Sequence, residues 1–233
     1  MVEGLPPYVS PIFLLALAGS VGGLIYAVRK ASPSSQPAVI VACGLFVWML
    51  TQAILGYTGF YRRFESIPPR MTLALMPPLA VIVALIVLQS GKAVMSLPLH
   101  TLTFIHVIRI PVELVLLWLY QNGQVSPLMT LEGRNFDLLC GLTAPIFGWM
   151  ALRPAVFRKS LIVWNSVAAL LVVNVVVHGV LAMPTPFQLL SFDAPNLAVA
   201  FFPFIWLPSV IVPIVLFCHA ASLRQLLRMP TYA

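Results

Sequence analysis

The chain has 233 residues, 61% of them apolar and only 8% charged, with a mean hydropathy of +1.00. Soluble domains carry about 25% charged residues because their surfaces face water, so a water-soluble domain is excluded and lipid must solvate most of this surface. The net charge of +7 does not point to nucleic acid, because Lys and Arg stand at the ends of apolar runs, as topology signals do, with no basic stripe interleaved by aromatics.

A bilayer core of about 30 Å calls for about 20 apolar helical residues per crossing. That criterion predicts an all-α polytopic transmembrane bundle forming a single domain, with spans at 9–28, 38–58, 71–90, 99–121, 137–152, 160–182 and 199–222. The N-terminal Met-Val-Glu-Gly-Leu-Pro-Pro lacks the basic stretch of a cleaved signal peptide, so the first run is expected to remain as a span. The second span carries Gln52 and Tyr57. The fifth is short, about 24 Å at 1.5 Å per residue, and either an earlier start inside Arg134-Asn135-Phe136 or a six-span chain stays open. Prolines recur within spans (Pro77-Pro78, Pro111, Pro145, Pro203, Pro208, Pro213), where each removes a backbone donor and tends to kink the helix. Cys43, Cys140 and Cys218 are isolated in apolar runs, which suits small fillers better than a disulfide or zinc framework.

Lys and Arg set the orientation. One side of the predicted spans holds Arg29, Lys30, Lys92, Arg153, Arg158, Lys159, Arg224 and Arg228, and the other holds Arg62, Arg63, Arg70 and Arg134. This excess places the C-terminus in the cytoplasm and the N-terminus outside.

The fourth span concentrates the chemistry. It contains His100, His106, Arg109 and Glu113, the last two being the charged residues deepest in any span. At about 100° per residue, Glu113 lies about 40° from Arg109 and about 20° from His106, with Tyr120 extending the stripe. This face must look into the bundle, because an ionised group facing lipid costs several kcal/mol. The plainer reading is an internal Arg109–Glu113 ion pair at i,i+4, with His106 hydrogen-bonded to a neighbouring helix. The functional reading is a polar pocket open to the outside, shared with Gln52 of the second span and Asn174 and His178 of the sixth, and rimmed by Glu132, Arg134, Asn135 and Asp137. Asn135 also suits the cap of the fifth helix, with Asp137 in its first turn.

His219, near the inner end of the last span, is expected at a depth similar to His100. Two histidines on different helices are the minimum for axial haem ligation or part of a metal site. No cofactor is expected under the leading reading, and haem or metal on His100 and His219 is the alternative. The stretches His106-Val107-Ile108-Arg109-Ile110-Pro111-Val112-Glu113 and Met129-Thr130-Leu131-Glu132-Gly133-Arg134-Asn135-Phe136-Asp137 resemble bacterial multi-pass membrane proteins to which no activity is attached. That resemblance covers less than a quarter of the chain and links the two stretches without implying a mechanism. A retinal opsin is disfavoured because Lys30, Lys92 and Lys159 all fall outside the spans. No P-loop, GxSxG or HExxH pattern occurs.

The sequence thus leads to a membrane protein that binds, senses or transports a small solute, with His106 and Glu113 as the titrating groups if protons are coupled. Expected partners are the bilayer and the solute, and a homo-oligomer is compatible with both. A membrane enzyme or electron carrier with haem or metal, and an accessory subunit docking through its apolar surface, are the competing classes.

Overall fold

A computed structural model describes residues 2, 4–88, 92–133 and 135–229. Every regular element among them is helical. We label the main helices α1 (Val9–Ala31), α2 (Gln36–Tyr57), α3 (Thr72–Val83), α4 (Leu99–Gln121), α5 (Asp137–Met150), α6 (Arg158–Leu181) and α7 (Leu207–Arg228). α1, α2, α4, α6 and α7 are each long and apolar enough to cross a bilayer; α3 and α5 are shorter apolar helices.

α4 and α7 form the centre. Of an 18-residue apolar stretch in each, 56% and 61% is buried, against 11% in α2. Lipid tails are as apolar as leucine, so close packing rather than water exclusion must bring such helices together. The α1–α4 contact shows how. Gly19 and Gly23 lie one turn apart on α1, and an added Cβ would stand 3.2 Å from Ile108 and 2.8 Å from Ile105. On α5, a Cβ at Gly141 would stand 2.9 Å from the Ile110 side chain and 3.1 Å from its backbone nitrogen.

Proline shapes α4 and α7 through the carbonyls it orphans. Pro111 cannot donate to Val107 and its ring crowds that carbonyl. The turn before it tightens into a 3-10 segment, Ile105–Ile108, in the middle of α4. In α7, Pro213 leaves the Ser209 carbonyl without its helical donor, and the Trp48 indole of α2 supplies one at 2.8 Å. The Trp206 indole returns the contact, donating to the Met49 carbonyl at 2.9 Å. This reciprocal pair fastens the least buried helix to the core.

The last helix departs from expectation. It was expected over 199–222 but runs Leu207–Arg228, opening with a π-helical turn, Leu207–Ile211. Pro203 and Pro208 disfavour a regular helix over the preceding segment, since each lacks a backbone donor and its ring crowds the carbonyl four residues earlier. At the other end, hydropathy stops the span at the first charges, whereas the backbone continues through Arg224 to Arg228. There Gln225 donates to the Val94 and Leu97 carbonyls at 2.7 and 3.0 Å, tying α7 to the α3–α4 connection. The expected third span, 71–90, is α3 continued by a π-helical stretch, Ala84–Leu88; Gln89 and Ser90 lie outside the described residues.

The short fifth span has a physical explanation. α5 starts at Asp137, and the irregular chain before it folds back into the bundle. Leu131 and Asn135 of that connection reach Glu113, which lies eight residues, or about 12 Å, before the end of α4. Non-helical backbone at such depth is tolerated where protein buries it. Here Met129, Thr130 and Asn135 are all buried. Gly133 is required by space: an added Cβ would run into the Pro127 carbonyl.

Because Gly141 abuts backbone, Gly141→Val is expected to destabilise the protein by about 1–3 kcal/mol, the usual cost of overpacking. Gly22 has open space around it, so Gly22→Ala is expected to be neutral or slightly stabilising. Thermal unfolding of the two variants in detergent, side by side, checks the pair.

Candidate functional site

α4 supplies Arg109 and Glu113, both buried. The Arg109–Glu113 ion pair of the plainer reading does not form. Arg109 instead bonds Asp137 at the start of α5, Nη1 to Oδ1 at 3.1 Å, and His219 of α7, Nη2 to Nε2 at 2.7 Å. Glu113 accepts the Leu131 amide at 3.0 Å on one oxygen and the Asn135 carboxamide at 2.6 Å on the other. The i,i+4 spacing permitted the pair, but the returning connection and the first turn of α5 offer each group better-placed partners.

Arginine has donors and no acceptor, which fixes the state of His219. Its Nε2 must accept from Arg109, so its Nδ1 carries the hydrogen and donates to the Asn165 Oδ1 at 2.9 Å. The Asn165 amide in turn donates to the Leu161 carbonyl at 2.9 Å. His219 is therefore the neutral Nδ1–H tautomer, held between α4 and α6.

His106 points elsewhere than expected. Its ring stacks on His219 with centroids 3.9 Å apart and planes 14° apart, and meets the Trp164 ring edge-on at 5.5 Å. It is fully buried, and neither ring nitrogen has a hydrogen-bond partner. The helical wheel placed it correctly within the bundle but could not say that it faces α6 and α7 while Arg109 and Glu113 face open space.

That space is a cavity of about 90 Å³. A single water needs about 10–15 Å³ by this measure, so it has room for several waters or the body of a small molecule. Its polar wall is Arg109, Glu113, Asn135, Asp137 and Asn196; the rest is mainly hydrocarbon, from α4, α6 and α7 (Val112, Val172, Val176, Val212 and Val215 among them), from Leu75 of α3 and from the connections. Asn135 is the hinge of the polar wall. Besides Glu113 it bonds the Met129 carbonyl at 2.9 Å, and its Oδ1 accepts the Asp137 amide at 2.9 Å. It thereby satisfies the start of α5, as its capping reading anticipated, and holds the carboxylate of α4. Asn196 performs a similar task, accepting the Ser126 amide at 2.9 Å and donating to the Gly179 carbonyl at 3.0 Å.

The other expected residues lie apart from this wall. Gln52 is buried on α2 and accepts the Tyr61 hydroxyl at 2.6 Å; burial pushes the Tyr61 phenol up to about 12, which keeps it a donor. Tyr120 is half-buried against the core, and His178 donates from Nδ1 to the Asn174 carbonyl at 2.8 Å. Glu132 is exposed, and Arg134 lies outside the described residues. His100 is half-buried near the start of α4. Axial ligation of haem by His219 would require it to give up Arg109 or Asn165, because both of its ring nitrogens are engaged. Among the described residues, no three His, Cys, Asp or Glu side chains gather as a metal site would require. Cys140 and Cys218 are buried and free, and Cys43 is exposed.

Sequence reasoning missed Asn165, Asn196 and Trp164. Asn165 had a usable signal, a lone carboxamide in the apolar first half of α6. Asn196 sits in a connection and had none.

Removing one member of a buried ion pair costs about 3–5 kcal/mol, because the partner is left charged and unpaired. Arg109→Met, which strands Asp137 and His219, is expected to lower thermal stability by that order. Adding Asp137→Leu is expected to restore part of the loss. A double-mutant cycle on unfolding temperatures in detergent measures the coupling, and strictly additive effects would contradict the pairing.

No family model matches the chain, and no curated protein and no solved structure matches it either.

Proposed function

We propose that the chain is a multi-pass protein of the bacterial inner membrane, crossing seven times with its N-terminus outside and its C-terminus in the cytoplasm, and that its Arg109–Glu113 cavity binds a small solute for transport or sensing. One observation carries the reading. Arg109 and Glu113, the charged residues deep in α4, both line one cavity together with Asn135 and Asp137. Charge is expensive inside a membrane and usually marks a solute or ion path. A purely structural pair would be closed over by packing, whereas these groups border space. Hydrocarbon walls with a few convergent polar groups are the usual make-up of a small-molecule site.

Seven crossings follow if α3 and α5 also span, with the connection before α5 supplying the depth that α5 lacks. The Lys and Arg excess then puts 58–71, 122–136 and 182–198 outside. The cavity lies toward that side, since Glu113 is nearer the Gln121 end of α4. Glu113 is the proton-exchanging group in this scheme, being the carboxyl on the cavity wall without a cationic partner.

Substituted cysteines test both parts of the reading in a Cys43→Ala background. A membrane-impermeant maleimide is expected to label Glu65→Cys, Glu132→Cys and Asp193→Cys in intact cells, but Ser34→Cys and Ala155→Cys only after permeabilisation. Within α6, a small methanethiosulfonate added from outside is expected to modify Val176→Cys, on the cavity, at least tenfold faster than Val173→Cys, which faces outward. Labelling of residue 34 in intact cells would overturn the orientation. Equal rates at 173 and 176 would remove the outward-open pocket.

A further inference from the structure

Charge around the cavity does not balance. Arg109 is engaged by Asp137 and by a neutral His219, so the guanidinium and one carboxylate cancel. Glu113 has neutral donors only, the Leu131 amide and the Asn135 carboxamide. Each carboxyl oxygen accepts one bond, and an ionised carboxylate has about four lone-pair sites, so two remain for a further donor. Glu113 is 5% exposed, and dipoles without a counter-ion leave a buried carboxylate poorly compensated. Beyond it the cavity is hydrocarbon, with Val172, Val176, Val212 and Val215 on its walls.

An anion would fare badly here. Each terminal nitrogen of Arg109 already makes one bond, to Asp137 and to His219, and an anion reaching its remaining N–H groups would face both Asp137 and Glu113. From this asymmetry we infer that the cavity takes a small lipophilic amine in its protonated form, with the ammonium on Glu113 and the hydrocarbon among the valines of α6 and α7. The inference rests on the solute-pocket reading and names the class of solute. The amine supplies the missing positive charge and up to three donors. Its alkyl chain replaces water against the valine walls, where water finds no partners.

The experiment uses the full chain in lipid nanodiscs at pH 7, with three probes of one size: n-butylamine, n-butanol and butyrate. An alkylamine is protonated at this pH, as a lysine side chain is. Saturable thermal stabilisation by n-butylammonium is expected, at least tenfold tighter than by n-butanol, with no effect of butyrate. Glu113→Gln is expected to weaken n-butylammonium binding at least tenfold, and Val176→Trp, which fills the cavity and leaves Glu113 intact, to abolish it. The wild-type probe series decides the charge class even if Glu113→Gln fails to fold. Butyrate or n-butanol binding as tightly as n-butylammonium would overturn the cation assignment while leaving a solute pocket in place. Unchanged amine binding in both variants would put the amine elsewhere on the protein and overturn the inference. No response to any of the three probes would remove both the amine and the pocket that holds it.

Discussion

A guanidinium buried in the middle of an apolar helix is the constraint around which the rest of the core is arranged. Arg109 cannot lose its charge and cannot face lipid without a cost of several kcal/mol. Its partners must therefore come from other elements, and two converge on it: Asp137 from the first turn of α5 and His219 from the middle of α7. Each draws its own support in turn. Asn165 of α6 receives the hydrogen of His219, and Asn135 satisfies the backbone amide of Asp137. Four helices are thus registered against one another by a single cation. In a bundle without a hydrophobic drive between helices, polar contacts of this kind and close glycine packing are the available fasteners.

The position of Asp137 has a second effect. To bring a helix start to the level of Arg109, the chain before α5 must enter the bundle as irregular backbone. Its amides and carbonyls then need partners, which are supplied internally by Ser126, Thr130, Asn135 and Asn196 and by the carboxylate of Glu113. One carboxylate of α4 therefore does what a turn of helix would otherwise do for the returning chain. The cavity is the space left where this connection, α6 and the proline-opened start of α7 do not close over α4.

The architecture was largely legible from hydropathy. The limits of α1, α2, α4 and α6 fall within three residues of the predicted spans, because long apolar runs fix such helices by length alone. α7 was misplaced because its first residues are apolar but proline-rich, and its last turns are helical but charged; hydropathy reads solvent, not backbone. The site was half legible. The shared face of Arg109 and Glu113 followed from helical periodicity. The partners did not follow. Periodicity within one helix says which residues share a face, but not what other elements bring to it, so the simplest pair at i,i+4 was drawn where Asp137, His219 and Asn135 stand. His106 failed for a related reason: an angle of about 20° from Glu113 does not distinguish the side facing the cavity from the side facing Trp164.

The hydrogen-bond chain from Arg109 through His219 and Asn165 to the Leu161 carbonyl runs in one sense only. A proton wire must be able to reverse every link after each passage, and this one cannot. Arginine has no lone pair with which to accept, and the carboxamide of Asn165 has its nitrogen committed to a carbonyl. The chain therefore behaves as an electrical insulator built from polar parts. It gives the buried cation the solvation it needs without itself offering protons a reversible path.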